Sequence, residues 1–204
     1  MRIPLRTAAA AAALLLPRLL CAQAAPPTGR WHATLLPVPG LEVAFGLKVD
    51  GKAGKLSGAL VNGASESRFT TVSWDGETLT LALDHYDGKL VARAEGSALA
   101  GTFVRAIPAG TIELAFRATR EAPPTPKPPK GAPAVTGDWG VDMGEGEKAS
   151  RLLATFRQDG GRVTGTLLGS TGDFGPMHGT WDGKALVLTV FDGVFIYRLD
   201  GTVA

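Results

Sequence analysis

The chain contains one cysteine, Cys21, in 204 residues. It lies just before Ala22-Gln23-Ala24, a tripeptide with the small-x-small pattern of a signal-peptide cleavage site. Cleavage there removes the only thiol. The exported form then has no disulfide, no cysteine nucleophile and no thiolate metal site. Packing alone must hold its core.

Histidine is scarce too. His32, His85 and His178 are scattered along the chain. Without cysteine they give no zinc-ligand spacing, so no metal and no cofactor is expected. Long apolar runs are missing as well. Ala8 to Leu16 is too short to span a bilayer, and Pro17 and Arg18 follow it. With Arg2 and Arg6 ahead of it, the run reads as the core of a signal peptide over residues 1–24. This predicts a periplasmic or extracellular protein without a membrane span. Cys21 follows Arg18-Leu19-Leu20, where a lipoprotein signal needs small residues, so no lipid anchor is expected.

Excess charge of one sign is the next absence. The whole chain carries +2, but Arg2, Arg6 and Arg18 belong to the leader. Without them 18 basic residues face 19 acidic ones, a net charge of −1. No basic stripe remains to neutralise phosphates, which argues against a nucleic-acid partner.

What the sequence does have is a repeat. Gly29-Arg30-Trp31 returns as Gly137-Asp138-Trp139, and Gly54-Lys55-Leu56-Ser57-Gly58 as Gly161-Arg162-Val163-Thr164-Gly165. Trp74-Asp75-Gly76 returns as Trp181-Asp182-Gly183, at the same interval from Gly58 and Gly165. Tyr86-Asp87-Gly88 is echoed by Phe191-Asp192-Gly193. Between the copies, residues 121–135 include Pro123-Pro124-Thr125-Pro126-Lys127-Pro128-Pro129. Proline at this density cannot pair in a sheet and predicts an extended, semi-rigid linker.

Each copy reads as β. Leu41, Val43, Phe45, Leu47 and Val49 alternate strictly, as do Leu79, Leu81 and Leu83, and Ile112, Leu114 and Phe116. Asp-Gly pairs at 50–51, 75–76, 87–88, 159–160, 182–183 and 192–193 supply hairpin turns. The spacing predicts strands at 30–36, 41–50, 54–62, 67–74, 78–84, 88–95, 98–106 and 111–118. About eight antiparallel strands close into an up-and-down barrel or pack as a sandwich. The expected architecture is therefore all-β, with two tandem antiparallel meander domains, barrel-like or sandwich. The first covers 28–120 and the second 136–204, joined by the Pro-rich linker. Copy two stops early against copy one, so it is expected to have about six strands, incomplete by about two, with an open edge.

The Gly-x-Trp openings and the proline-rich break resemble the N-terminal extension of secreted bacterial thioredoxin-like proteins of the peroxiredoxin and TlpA type. So do Gly161–Gly172 leading through Asp173 into Gly179-Thr180-Trp181-Asp182-Gly183-Lys184, and the stretch Leu186–Gly193. The resemblance covers residues 29–204. It implies an accessory region that positions a partner, either a separate protein or a C-terminal redox domain missing from this chain. Such a domain carries Cys-x-x-Cys or a peroxidatic cysteine, and this chain has neither. No catalytic residue can therefore be carried over. Gly-x-Trp also resembles the opening strand of lipocalins, eight-stranded barrels that carry small apolar ligands.

Candidate sites are few. Asp84, His85 and Tyr86 place an imidazole between carboxylates, the composition of a binding or acid–base site, although a strand end near a polar turn also explains them. Trp31, Trp74, Trp139 and Trp181 recur in register and are expected to plug the core rather than form a binding platform. Asp75 and Asp182 form a recurring carboxylate pair, but their Asp-Gly turns account for them. Asp138, Asp142, Glu145 and Glu147 surround a Gly-rich loop without the spacing of a calcium site. Gly169-Ser170-Thr171-Gly172 reads as a turn, since no helix follows to bind phosphate. No Gly-x-Ser-x-Gly elbow is present. The sequence thus predicts a non-enzymatic binding module, with a lipocalin-like carrier of a small apolar ligand or a hydrolase with a non-motif site as alternatives.

Overall fold

The computed structural model describes residues 24–144 and 149–203. The leader with Cys21, and Glu145 and Glu147 of the acidic loop, lie outside the described residues. The fold is all-β, built from two curled antiparallel sheets. Among the described residues no helix is long and apolar enough to cross a membrane.

The first sheet contains β1 (Gly29–Val38), β2 (Leu41–Lys52), β3 (Lys55–Asn62), β4 (Ser65–Arg68), β5 (Thr71–Trp74) and β6 (Thr78–Leu83). It continues with β7 (Gly88–Glu95), β8 (Ala98–Ile107) and β9 (Gly110–Thr119). Sequential strands pair, and β9 returns to pair with β1, Leu35 opposite Phe116. The expected strand at 67–74 is broken into β4 and β5. At the break, Phe69 N–H donates to the Gly58 carbonyl of β3 (3.0 Å) and Thr70 N–H to the Ala82 carbonyl of β6 (2.9 Å). One bent segment therefore bridges both margins of the sheet, which curls into a barrel-like form. Closure leaves no long edge to aggregate.

Alternation explains which side chains fill it. Val43, Phe45, Leu47 and Val49 of β2 are buried, while Glu42, Ala44 and Asp50 face outward. Phe45, Leu81, Phe103 and Phe116 are at most 2% exposed and belong to one cluster. Each fully buried side chain of this size contributes about 1.5–3 kcal/mol.

The second sheet contains β10 (Gly137–Met143), β11 (Ser150–Asp159), β12 (Arg162–Gly169), β13 (Gly172–Asp173), β14 (Met177–Trp181), β15 (Ala185–Phe191) and β16 (Ile196–Thr202). Its path runs β10-β11-β12-β14-β15-β16, with β13 beside β12. The repeat holds at the level of register. Gly29 faces Val49, which faces Gly58, and Gly137 faces Phe156, which faces Gly165. Trp74 faces Leu79 as Trp181 faces Leu186. Gly165 is needed for this close approach: a Cβ there would lie 2.2 Å from the Thr155 carbonyl oxygen.

Two expectations need correction. Matching Tyr86-Asp87-Gly88 with Phe191-Asp192-Gly193 does not survive in space. Leu83 closes its hairpin opposite Gly88, and its counterpart Val190 pairs with Tyr197, with one further pair, Phe191 and Ile196, beyond it. Phe191 thus extends a strand where copy one has already turned. Gly201 pairs with Leu186 as Ala92 pairs with Leu79, so these two residues correspond in the two copies. The linker is also more than a spacer. It lies along the second sheet, where a Cβ on Gly161 would be 1.8 Å from the Pro126 carbonyl oxygen, and Thr125 accepts a bond from Arg162 Nε (3.2 Å).

Candidate functional site

The extra residue pair at the end of β15 places the Phe191 ring in the core of the first barrel. Phe191 is 0% exposed and stands edge-on to Phe45 and Phe103, ring centroids 4.9 Å from each. The Asn62 amide meets the backbone on both sides: its Nδ2 donates to the Phe191 carbonyl (2.9 Å), and its Oδ1 accepts from Phe191 N–H (3.3 Å). Thr189 Oγ1 donates to the Ala44 carbonyl (2.8 Å), and Arg198 Nη1 to the Glu42 carbonyl (3.1 Å). The two copies therefore share a core along β2 and β15.

Asp84, His85 and Tyr86 form a single exposed 3-10 turn between β6 and β7, ended by Asp87 at φ 50°. Asp84 N–H donates to Thr70 Oγ1 (2.8 Å). His85 and Tyr86, with Ser67, Arg68, Thr70 and Asp192, line a hollow of about 260 Å³; Asp84 does not reach it. Arg105 ties this turn to the second sheet, donating to the Tyr86 carbonyl (3.2 Å) and the Val194 carbonyl (3.0 Å). The three residues thus mark a seam between the copies. Among the described residues no group of three or more His, Asp or Glu is placed to hold a metal ion.

The other sequence candidates take structural positions. Trp31 and Trp181 are buried, and Trp74 and Trp139 pack at the margins of the two cores. Their indole N–H groups donate to backbone carbonyls: Trp31 to Pro27, Trp139 to Val135, Trp74 to Ala24 and Trp181 to Pro133. Each copy thus uses two tryptophans to pin the segment leading into its first strand. Asp75 accepts from the N–H groups of Thr78 and Glu77, and Asp182 from those of Ala185 and Lys184. These turn bonds hold both carboxyls below the usual carboxylate range. Asp138 accepts from Thr155, and Asp142 pairs with Arg151.

A second concavity lies on the open side of the second sheet. A cavity of about 730 Å³ runs between β10 and β16, with Trp139, Val141, Met143, Leu186, Leu188 and Leu199 among its walls. Two carboxylates of its described lining, Asp142 and Asp200, are ion-paired with Arg151 and Arg198. Sequence reading anticipated an open edge in copy two but not this cleft. The available signal was the alternation of Trp139, Val141 and Met143 on a strand with no predicted neighbour on one side.

One half-buried imidazole has a lowered pKa. His178 lies on β14, between Thr164 and Thr189 in register and close to Gly63 of the first barrel. Its Nδ1 is buried with no hydrogen-bond partner among the described residues. Burial disfavours the imidazolium and lowers its pKa. The unfolded chain protonates this side chain near pH about 6.5, whereas the folded state resists the proton. Stability is therefore intact above that pH and declines as pH falls below it, until the lower folded-state pKa is passed. Thermal melts between pH 7 and 5 are expected to show this decline, and His178→Leu should flatten it. An unchanged slope in the variant would assign the effect to other groups.

No family model, no curated protein sequence and no solved structure matches this chain.

Proposed function

We propose that this chain is a non-catalytic binding module, exported from the cell, in which the first barrel is a packed scaffold and the second sheet presents the site. The observation that carries the reading is the contrast between the two copies. Large side chains occupy the interior of the first barrel, whereas the second sheet opens an apolar-walled cleft of about 730 Å³. That volume lies within the range of about 300–1,000 Å³ usual for binding sites. The ion pairing of Asp142 and Asp200, and the lack of histidine on the cleft wall, support binding over hydrolysis.

The resemblance to the extensions of thioredoxin-like proteins suggests the class of partner, a redox protein or domain held near the module. A carrier of small apolar ligands is the second reading. The apolar cleft favours it, but places the ligand in copy two, not inside the first barrel.

An environment-sensitive apolar dye titrated into the full chain tests the shared premise. Saturable binding with a blue shift is expected, and Val141→Asp should reduce it by more than about tenfold, because the new carboxylate must be desolvated. Dye binding that is unaffected by Val141→Asp would place the apolar site elsewhere and sink the reading.

A further inference from the structure

Copy one shows what fits the open side of copy two. In the first barrel, β8 pairs along β7 and β9 pairs along β1, so one hairpin spans the gap between those two strands. The matching strands of the second sheet are β16 and β10, its two terminal strands, and no strand lies between them among the described residues.

Side-chain burial records the same difference. Trp31, Leu35 and Leu79 are 4%, 0% and 0% exposed. Trp139, Met143 and Leu186 occupy the corresponding places in copy two, are only half-buried, and line the cleft. In copy one these positions share a single buried cluster with Leu99 and Phe103 of β8 and Phe116 of β9. Direction agrees as well. Each step along β10-β11-β12-β14-β15-β16 is antiparallel, so the two margins run in opposite directions. A single added strand would be parallel to one of them, whereas a hairpin is antiparallel to both.

We infer that the cleft of the second sheet receives a β-hairpin from a partner protein, two strands with large apolar side chains at alternate positions that add to β10 and β16 and close the sheet into a barrel like the first. The inference rests on the binding-module reading and specifies its ligand. Unpaired backbone groups on both margins supply affinity, and the apolar wall selects the inward-facing side chains. In copy one Leu99, Phe103 and Phe116 play that part. A second copy of this chain fits less well. Its open sheet would contribute a six-strand path instead of two strands, giving a ring of about twelve, whereas about eight is the size that side chains can fill.

The test uses the full chain and a synthetic peptide with the sequence Ser97–Arg120, the hairpin that closes copy one. Saturable binding is expected, with amide hydrogen exchange in β10 and β16 slowed by about tenfold or more. A control peptide with every apolar residue moved by one position turns the wrong face inward and should not bind. Val141→Asp should weaken binding by more than about tenfold. If the dye binds but the peptide does not, the hairpin is ruled out and the cleft reading stands; if neither binds, both fail. Slowed exchange in β1 and β7 alone would mean that the peptide invades the first barrel, and would overturn the inference. So would a chain that sediments as a dimer with β10 and β16 already protected, because a second copy then fills the cleft.

Discussion

Replacing Phe191 with alanine is expected to lower the stability of the chain by about 3–5 kcal/mol. The residue lies in the second sheet, yet its ring belongs to the core of the first barrel, in contact with Phe45 and Phe103. Truncation removes a fully buried ring and leaves a void beside two others. The void cannot easily collapse, because the surrounding wall is a barrel closed by the Leu35–Phe116 pairing and the bent segment at Phe69. Denaturant unfolding followed by tryptophan fluorescence measures the loss, since each sheet carries two tryptophans. The wild-type chain should unfold in one transition and the variant in two, as the second sheet loses its anchor first. A loss below about 1 kcal/mol, in the range of ordinary substitutions, would mean that Phe191 is not what joins the copies.

Asn62→Leu is expected to cost about 2–4 kcal/mol, although leucine matches the shape of the amide and suits an apolar site. Asn62 is 2% exposed and satisfies both the N–H and the carbonyl of Phe191. Leucine leaves these two backbone groups facing an apolar neighbour, and each buried unsatisfied group costs about 1–3 kcal/mol. The same unfolding measurement applies. The two substitutions act on one contact, so the double variant should lose clearly less than the sum of the singles. Additive losses would show that the amide stabilises β3 locally and has no part in seating Phe191.

These residues also show where the sequence stops being informative. Alternation in Val43-x-Phe45-x-Leu47-x-Val49 announces a half-buried strand, because the signal is local and periodic. Asp182-Gly183 announces a turn, because the side chain caps the backbone N–H groups that follow it. The repeat was legible too, because its glycine and tryptophan positions recur at fixed intervals. The Asn62–Phe191 contact joins residues far apart in the chain and leaves no periodic trace. The pairing of Phe191 with Tyr86 by sequence hid it further: one of these aromatics is 0% exposed and the other 46%. Asp84-His85-Tyr86 drew notice through composition, yet the structure makes them an exposed turn at the seam. The cleft was half legible. An open edge followed from strand counting, but the inward face of β10 meets Leu186 and Leu199 only once the sheet curls.

The seating of Phe191 also has a consequence in time. The first barrel cannot close until β9 has been made, and its core is not filled until a segment from the far side of the linker arrives. Contacts of such long range are slow to form, and the chain exposes apolar surface while they are pending. A polypeptide emerging in order from its first residue therefore holds an unplugged barrel through the synthesis of the linker and most of the second sheet. During that interval Phe45 and Phe103 have no ring between them, and the nascent chain is at its most vulnerable to aggregation and to capture by chaperones.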